Sequence, residues 1–563
     1  MKWDKAFLSF SKLSLHSQKI VMRRLPILFI GLLISHICTA QSWADTLALI
    51  EKTFSQYKPE NPGCQVSVSR NGEIIFSKAW GMADLERSVP LTTHSILEAG
   101  SVSKQFTAAA ILLLEQQGKL SLDDELRKYI PELPDYGAPI LLRQMMHHTS
   151  GLRDWGTIAE LTGWPRGTKF YSNEDALEII ARQQHLNNPP GAEFLYSNSN
   201  YNLFAIIVER VSGLNLAAFT KKFIFEPAGM THTSWRDDPN RVVPNRAIAY
   251  AKRGSGYHTD MPNEYVYGNG GLLTTTEDLL KWNQFYQQHR LGTASLFRKQ
   301  TETEPLANRS MNIYAAGLFI NNVMGLYTIA HNGSTAGYRA NLETFSEPGL
   351  SFAVLSNTGE FNINSVAAML RKIFVHAKTT MAPASEKTVH LSEAALNHFT
   401  GLYRNERDGS TFHLSVKDQQ ILLDNDLPLK PLSENIVGSN NFLLKLDGSK
   451  GWYIRFSPRD TIPFIKLEPA HPLLKDLEAY TGKYFSPETN SWITIEINKD
   501  SLTIRFKLTE SHPLIPTYKD GFKLDALDAD IAFIRNGDNQ ITGLSISMTR
   551  ARNVVFKKAD SSR

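Results

Sequence analysis

The chain has 563 residues, of which 42% are hydrophobic, 10% aromatic and 21% charged. This length exceeds what one ordinary hydrophobic core organises, so it predicts two to four domains. The 60 basic and 56 acidic residues give a formal net charge of only +4, and no basic stripe is interleaved with aromatic residues. We therefore exclude nucleic acid and an anionic membrane surface as partners.

Residues 1–40 predict a signal peptide. Arg23 and Arg24 precede an apolar run at 25–34, and the small residue Ala40 completes a cleavage pattern. The run is shorter than the roughly 20 residues that span a bilayer, which favours a cleaved signal peptide. The alternative is an uncleaved membrane anchor. We expect a Sec-type leader, a periplasmic or secreted bacterial protein, and no stable membrane insertion after the leader is removed.

The cysteines and histidines give no metal-site pattern. Cys38 and Cys64 are the two cysteines, and one pair 26 residues apart has neither metal-ligand nor redox spacing. Cys64 is predicted to be a small buried residue. The adjacent His147 and His148 cannot both face one ion from a helix. We predict no metal and no cofactor.

Residues 41–380 predict an α+β domain. A hairpin signal, Asn71-Gly72, separates two runs of strand character near its start. In chain order the expected elements are strands at 65–69 and 73–77, helices at 105–117, 202–212 and 277–287, and strands at 327–330, 340–345 and 350–355. Strands at both ends with helices between them predict an antiparallel sheet that pairs the two ends of the domain.

The remainder of the chain predicts two small antiparallel β-barrels. A polar segment at 377–391 has no periodicity and is predicted to be a linker. Beyond it, the pattern L-x-x-[FY]-T-G-x-Y occurs at 396–403 and again at 477–484, and period-2 strands follow each copy. We place the barrels at 390–468 and 472–563, since about 80 residues of short antiparallel strands are enough to close into one small barrel.

The first candidate catalytic element is Ser101-Val-Ser-Lys104, at the start of the predicted helix 105–117. A serine hydroxyl is a poor nucleophile unless a base removes its proton. The i, i+3 spacing places Lys104 on the same helical face as Ser101. Lysine acts as a base only where burial or neighbouring cations lower its pKa from about 10.4.

Two further elements follow in the same predicted domain. Tyr196-Ser-Asn198 offers a phenol for proton transfer and an amide to orient a substrate. His331-Asn-Gly333-Ser334 follows the strand at 327–330, where a small residue lets a substrate backbone lie alongside and a backbone N–H binds an oxyanion. Each element alone is weak evidence for a catalytic site, because the same short patterns also occur by chance elsewhere in the chain.

In this order, the three elements resemble the pattern S-x-x-K, Y-x-N, [KH]-x-G of the penicillin-recognising serine hydrolases. That family includes class C β-lactamases, D-alanyl-D-alanine carboxypeptidases, D-aminopeptidases and related esterases. Two flanking stretches are similar to family motifs as well: Met145-Met-His-His-Thr-Ser-Gly-Leu152 and Gly268-Asn-Gly-Gly-Leu-Leu-Thr-Thr275. The resemblance covers about residues 60 to 375, and the barrels resemble the lipocalin-like domains of D-aminopeptidases.

The resemblance implies that Ser101 is the nucleophile and that Lys104 and Tyr196 transfer protons as a coupled pair. It further implies that Asn198 positions the substrate, that His331 supports the site from its strand beside Gly333, and that the backbone N–H groups of Ser101 and Ser334 form the oxyanion hole. It identifies no dedicated base for deacylation.

His331 stands where β-lactamases carry lysine, and a histidine is mostly neutral at pH 7. This departure favours peptidase or esterase members. The predicted function is hydrolysis of short peptides that contain D-amino acids, of the D-aminopeptidase or DD-carboxypeptidase type. The alternatives are an esterase or β-lactamase of the same family, or a slow-turnover covalent penicillin-binding sensor. The sequence leaves open whether a barrel loop enters the active site, and what the oligomeric state is.

Overall fold

The computed structural model describes residues 43–375, 388–439, 442–455, 461–507 and 510–559. The predicted leader lies outside these ranges, as does most of the predicted linker. The chain divides into two compact units, Met1–Thr53 and Phe54–Arg563. The first unit is described from residue 43 onward, in helix α1 (Trp43–Phe54). The second unit holds an α+β domain and two barrels.

A six-stranded antiparallel sheet organises the α+β domain. The strands of this domain are β1 (Cys64–Arg70), β2 (Glu73–Trp80), β3 (Met82–Asp84), β4 (Val89–Pro90), β5 (Leu97–Glu98), β6 (Ser234–Trp235), β7 (Tyr250–Arg253), β8 (Gly256–Thr259), β9 (Leu272–Thr274), β10 (Phe319–Val323), β11 (Leu326–Thr335), β12 (Tyr338–Phe345) and β13 (Leu350–Ser356). The sheet order is β10-β11-β12-β13-β1-β2. Because β13 pairs with β1, the expectation that the sheet joins both ends of the domain is confirmed.

The predicted hairpin between β1 and β2 forms. Its turn residues, Asn71 and Gly72, have φ angles of 53° and 84°. Two consecutive residues with positive φ match the right-handed twist of the flanking strands, which is why Asn-Gly is favoured there.

Helices pack against the sheet and against one another. They are α2 (Lys104–Gln116), α3 (Leu142–Met146), α4 (Trp155–Leu161), α5 (Asn173–Ala181), α6 (Asn198–Ser212), α7 (Leu216–Thr220), α8 (Glu226–Ala228), α9 (Thr276–Gln287), α10 (Ala294–Thr301) and α11 (Ile363–Phe374). The expected helices at 105–117, 202–212 and 277–287 correspond to α2, α6 and α9. Eleven of the 13 residues of α2 are buried, as its Ala- and Leu-rich sequence requires.

The first barrel is closed. It comprises α12 (Glu393–Phe399), β14 (Gly401–Asn405), β15 (Thr411–Lys417), β16 (Gln420–Leu423), β17 (Leu427–Ser433), β18 (Ile436–Ser439), β19 (Phe442–Asp447), β20 (Lys450–Arg455) and β21 (Thr461–Leu467). Neighbours along the chain pair in turn, and β21 pairs with β14 to complete the ring. Its buried residues form a core of their own.

The second barrel is nearly closed. It comprises α13 (Leu474–Leu477), β22 (Gly482–Ser486), β23 (Ser491–Asn498), β24 (Ser501–Lys507), β25 (Glu510–Pro513), β26 (Ile515–Pro516), β27 (Gly521–Leu524), β28 (Ala529–Arg535), β29 (Ile541–Met548) and β30 (Ala551–Lys558). Its nine strands form one antiparallel sheet in the order β25-β24-β23-β22-β30-β29-β28-β27-β26. Its buried side chains belong to the same cluster as those of the α+β domain.

The sequence repeat has a structural reason. The last tyrosine of each copy donates its hydroxyl hydrogen bond to a backbone carbonyl four residues upstream: Tyr403 to Phe399 at 2.7 Å, and Tyr484 to Tyr480 at 2.6 Å. Both tyrosines are fully buried. The motif therefore anchors the entry segment of each barrel to its first strand, which satisfies a buried hydroxyl at the same time.

Across the ranges that the structure describes, no single helix is long and apolar enough to cross a membrane. Two consecutive helical segments, Asn198–Ser212 and Leu216–Ala228, would together be long and apolar enough for a membrane span, but the chain bends by 76° between them.

Candidate active site

Ser101 lies on a single turn of 3-10 helix, Gly100–Ser103, that leads directly into α2. This turn packs against β11 so closely that two glycines are required. A Cβ atom on Gly100, whose φ is +50°, would lie 2.7 Å from the backbone nitrogen of Ser334. A Cβ atom on Gly333 would lie 2.0 Å from the carbonyl oxygen of Ala99. The absence of these two side chains lets Ser101 lie beside the strand.

Lys104 is completely buried directly behind Ser101. Its Nζ lies 3.0 Å from Ser101 Oγ, 2.9 Å from Asn198 Oδ1 and 2.5 Å from the Asn269 carbonyl oxygen. The last two atoms only accept hydrogen bonds. A neutral amine has two N–H donors and one lone pair, so donating to these acceptors directs its lone pair toward the Ser101 hydroxyl.

The surroundings of Lys104 favour this neutral form. Burial lowers the pKa of the Lys104 ammonium well below its usual value, and the positive charges of Arg550 and Arg166 lower it further, while Asp154 opposes the shift. A buried ammonium loses its hydration, and nearby cations add repulsion. The condition under which a lysine accepts a proton from serine is therefore met.

Tyr196 packs against the lysine, with its ring centroid 4.8 Å from Lys104 Nζ. Burial raises the pKa of its phenol, an effect that the nearby Ser101 hydroxyl and Arg550 reduce. The hydroxyl is buried, and within the described ranges no partner completes a hydrogen bond with it. An unsatisfied buried hydroxyl is costly. A group placed beside Ser101, such as a bound substrate, is the partner that would satisfy it.

Asn198 is the first residue of α6, and Asp154 fixes its position. One carboxylate oxygen of Asp154 accepts from the Asn198 backbone N–H at 2.6 Å. The other oxygen caps α4 by accepting from the N–H groups of Gly156 and Thr157. A single carboxylate thus joins the N-termini of two helices, where negative charge is favourable.

His331 is buried, with 3% of its surface exposed. Burial, together with repulsion from Lys104 whenever that lysine is protonated, lowers the pKa of its imidazole to about 3, so the ring is neutral at physiological pH. Its Nδ1 lies 2.6 Å from the Asn332 carbonyl oxygen, and its Nε2 lies 3.0 Å from the Tyr314 hydroxyl. A carbonyl accepts only, which assigns the proton to Nδ1 and makes Nε2 the acceptor. His331 therefore brings no positive charge to the site.

His148 packs behind Tyr196, with 4.1 Å between the ring centroids. Its Nδ1 lies 3.1 Å from both the Ser197 backbone nitrogen and Asn200 Nδ2, so it accepts from the residue that precedes α6 and from the first turn of that helix. His148 therefore has a structural role, since it holds the start of α6 directly after Tyr196. Among the described residues, no group of three or more His, Cys, Asp or Glu side chains is arranged to hold a metal ion, and Cys64 is free and buried.

The residues that carry the predicted oxyanion donors, Ser101 and Ser334, lie close to each other across the turn and β11. A Cβ atom on Gly333 would lie 3.1 Å from the Ser101 backbone nitrogen, and a Cβ atom on Gly100 would lie 2.7 Å from the Ser334 backbone nitrogen. Ser101 and Ser334 line a cleft of about 680 Å³, together with Tyr196, Asn198 and His331. The structure thus brings together all seven residues that the sequence singled out.

Charged side chains line the same cleft. Glu264 is paired with Arg166, and the Nε of the buried Arg236 lies 2.9 Å from Glu98 Oε2. Arg550 comes from the second barrel, at the turn between β29 and β30, and its guanidinium lies 4.9 Å from the Tyr196 ring centroid. A barrel loop therefore does reach the active site, which the sequence had left open.

Sequence reasoning missed three participants. Asn269 lies in the flanking stretch 268–275, and Asp154 follows the stretch 145–152 by two residues. Their positions in or next to the two family-like stretches were the signal that could have identified them. Arg550 has no local signal, because its role depends on contacts with residues some 350 to 400 positions earlier in the chain, such as the hydrogen bond from the Asp154 N–H to its carbonyl.

Comparisons with known proteins agree with this geometry. The beta-lactamase family model matches residues 50–373, and a domain of unknown function, DUF3471, matches residues 468–558. The chain is 24% identical over 546 residues to a D-aminopeptidase of Brucella anthropi, with 91% of this chain and 99% of that protein covered. It is 28% identical over 397 residues to penicillin-binding protein 4* of Bacillus subtilis, with 64% and 83% covered.

Among solved structures, the octameric penicillin-binding protein homologue from Pyrococcus abyssi superposes with a TM-score of 0.51 at 22% sequence identity, with 83% of this chain and 98% of that chain covered. This likeness concerns the fold alone. The family model spans more than half of the chain, and its range contains Ser101, Lys104, Tyr196 and His331. The chain therefore belongs to the beta-lactamase family and is a serine hydrolase of that family.

Proposed function

We propose that the protein hydrolyses short peptides or amides that contain D-amino acids, through an acyl-enzyme on Ser101. One observation carries the proposal: Ser101 Oγ lies 3.0 Å from the Nζ of a fully buried lysine whose other two contacts are hydrogen-bond acceptors. This arrangement makes a serine hydroxyl reactive without a histidine or a metal.

In the acylation step, Lys104 takes the proton of Ser101 while Oγ attacks the substrate carbonyl carbon. The carbonyl oxygen becomes an oxyanion, and the N–H groups of Ser101 and Ser334 stabilise it. The Tyr196 hydroxyl lies beside Lys104 and has no hydrogen-bond partner among the described residues. It donates its proton to the departing amine as the carbon–nitrogen bond breaks and regains a proton from the Lys104 ammonium, so both side chains return to their neutral forms. Water then attacks the ester, and the same groups act in reverse.

The substrate class is supported by the relatives. The likeness to the D-aminopeptidase of Brucella anthropi extends over 91% of the chain, so it includes the barrels as well as the catalytic domain. The neutral His331 gives further support, because a β-lactamase site carries a fixed positive charge at this position. The esterase and β-lactamase alternatives share the same acylation step and differ only in the substrate.

A slow-turnover covalent sensor is the alternative of a different class, since the chain is also similar to a penicillin-binding protein. Turnover separates the two. A sensor would hold a labelled penicillin on Ser101 for hours and hydrolyse none of the D-peptides, amides or esters offered to it.

The test is a hydrolysis panel with a D-alanine anilide, an acyl-D-Ala-D-Ala peptide, a short-chain aryl ester and a chromogenic cephalosporin. We expect turnover of at least one D-amino-acid substrate, and loss of every activity in Ser101→Ala. Ser255→Ala is the matched control, because Ser255 is exposed in the turn between β7 and β8. A Ser101→Ala rate within tenfold of wild type would show that the nucleophile is misassigned.

A further inference from the structure

Three arginines line the cleft around Ser101, and they differ in what their guanidinium groups contact. Arg166 is held by Glu264. Arg339 donates to the Ala336 and Tyr338 carbonyls, at 2.6 and 2.8 Å. No carboxylate oxygen of a described residue lies within salt-bridge distance of the Arg550 guanidinium, and this side chain is exposed to the cleft. Among the described residues, Arg550 is therefore the cleft arginine whose guanidinium is neither paired with a carboxylate nor bonded to a backbone carbonyl, so its hydrogen-bond donors are available to a ligand.

The backbone of Arg550 is fixed independently of its side chain. Its carbonyl oxygen accepts hydrogen bonds from the Asp154 N–H and from Asn187 Nδ2, both at 3.0 Å. The adjacent strand is held by Arg153, whose guanidinium donates to the Arg552 carbonyl at 2.8 Å and to Glu488 Oε1 at 2.7 Å. The Arg153–Glu488 pair is buried on both sides. A substitution of the Arg550 side chain thus leaves the hairpin in place.

The location of Arg550 selects one side of the substrate. Its guanidinium contacts the ring of Tyr196, whose hydroxyl protonates the leaving group in the proposed reaction. Arg550 is therefore on the leaving-group side of the scissile bond. His331, on β11, is neutral and supplies no charge there. A guanidinium binds a carboxylate with two parallel hydrogen bonds and repels an ammonium.

We infer that Arg550, supplied by the second barrel, selects substrates whose leaving group carries a carboxylate. The inference rests on the proposed function and narrows it to peptides cleaved next to a free C-terminal residue. A cation contributed by the barrel takes the place of the one that His331 does not provide. Leaving groups that carry an ammonium are disfavoured at the same position.

A matched pair of aryl esters tests this selectivity. The acyl group is N-acetyl-D-alanyl in both, and the leaving group is 3-hydroxybenzoate in one and 3-hydroxybenzamide in the other. We expect the wild-type kcat/KM to favour the carboxylate ester by roughly 10- to 100-fold, the range for hydrogen bonds to a charged group. Arg550→Gln should bring the ratio close to one, and Arg550→Lys should keep part of it. Added salt should reduce the wild-type ratio, because the arginine is exposed.

The ratio of the two esters cancels any effect of Arg550 on Lys104, since both substrates use the same base. Arg253→Gln is the matched control: Arg253 is an exposed hairpin arginine outside the cleft, and its ratio should equal that of the wild type. An Arg550→Gln ratio equal to the wild-type ratio overturns the inference while the proposed function stands. Failure of wild type on both esters, with the D-alanine anilide still hydrolysed, overturns the inference alone, whereas failure on the esters and on every D-amino-acid substrate of the panel overturns the proposed function itself.

Discussion

The substitution Gly333→Ala tests how closely β11 must approach the nucleophile turn. An added Cβ would lie 2.0 Å from the Ala99 carbonyl oxygen, whereas real Cβ atoms essentially never come within 3.0 Å of such an atom. The strand and the turn would therefore have to separate by about 1 Å. A misplacement of that size in an active site costs about 10²-fold in rate.

The separation falls on the predicted oxyanion donors, since the same Cβ would also lie 3.1 Å from the Ser101 backbone nitrogen. Preorganised donors lose their effect when the distance to the developing charge increases. Lys104 is less affected, because it is held by Asn198 and Asn269 on other segments. We expect kcat to fall by about 10²-fold, together with a loss of stability of about 1–3 kcal/mol from overpacking.

The assay is kcat and KM on an activated aryl ester, with the unfolding temperature measured on the same preparations. Gly256→Ala is the matched control, because Gly256 also lies in a strand of this domain and an added Cβ there has no atom within 4 Å. The control should retain wild-type kinetics. If Gly333→Ala keeps kcat within threefold of wild type, the close approach of β11 to the turn is not required for the reactivity of Ser101.

Two outcomes concern titratable groups. Lys104→Met should lower the acylation rate of Ser101 by at least about 10²-fold, the scale of general-base catalysis. The rate is measured by quenching the reaction at set times and quantifying the acyl-enzyme by mass spectrometry. A smaller loss would assign the base elsewhere. The pKa of His331 falls from 6.5 unfolded to about 3 folded, so the unfolded chain binds more protons between these values and stability is lost as pH falls through that window. His331→Gln should flatten the dependence of unfolding free energy on pH between 6 and 4 by up to about 1.4 kcal/mol per pH unit. Identical slopes in both proteins would show that the histidine is protonated in the fold.

Local sequence patterns predicted the elements that carry the site. The i, i+3 spacing of Ser101 and Lys104 produces their contact, because the turn Gly100–Ser103 continues into α2 without a break. The Asn71-Gly72 signal gave the hairpin, and the tyrosine repeat gave two barrels of similar construction. In each case the physical cause lies within a few residues of the pattern, which is why the pattern was sufficient.

Long-range docking was not predictable in the same way. Nothing near Arg550 distinguishes it from any other arginine in a hairpin turn, and its position depends on hydrogen bonds that the Asp154 N–H and Asn187 Nδ2 donate to its carbonyl oxygen. The difference between the barrels has the same origin: both share the repeat, yet one has a separate core and the other joins the core of the catalytic domain. Periodicity reports which face of a strand is buried, but not what buries it.

The docking of the second barrel determines the charge that the base experiences. Arg153 and Glu488 form a buried pair across this junction, and a shifted arrangement that buries one partner without the other is disfavoured because it leaves a buried charge unpaired. Through this junction, Arg550 is held where its charge lowers the pKa of Lys104. A catalytic domain with the same Ser101, Lys104 and Tyr196 but without the barrel would keep every reacting atom and lose this cation. It would then hold its lysine neutral only at higher pH, so the barrel belongs to the catalytic machinery as a source of charge and not only of shape.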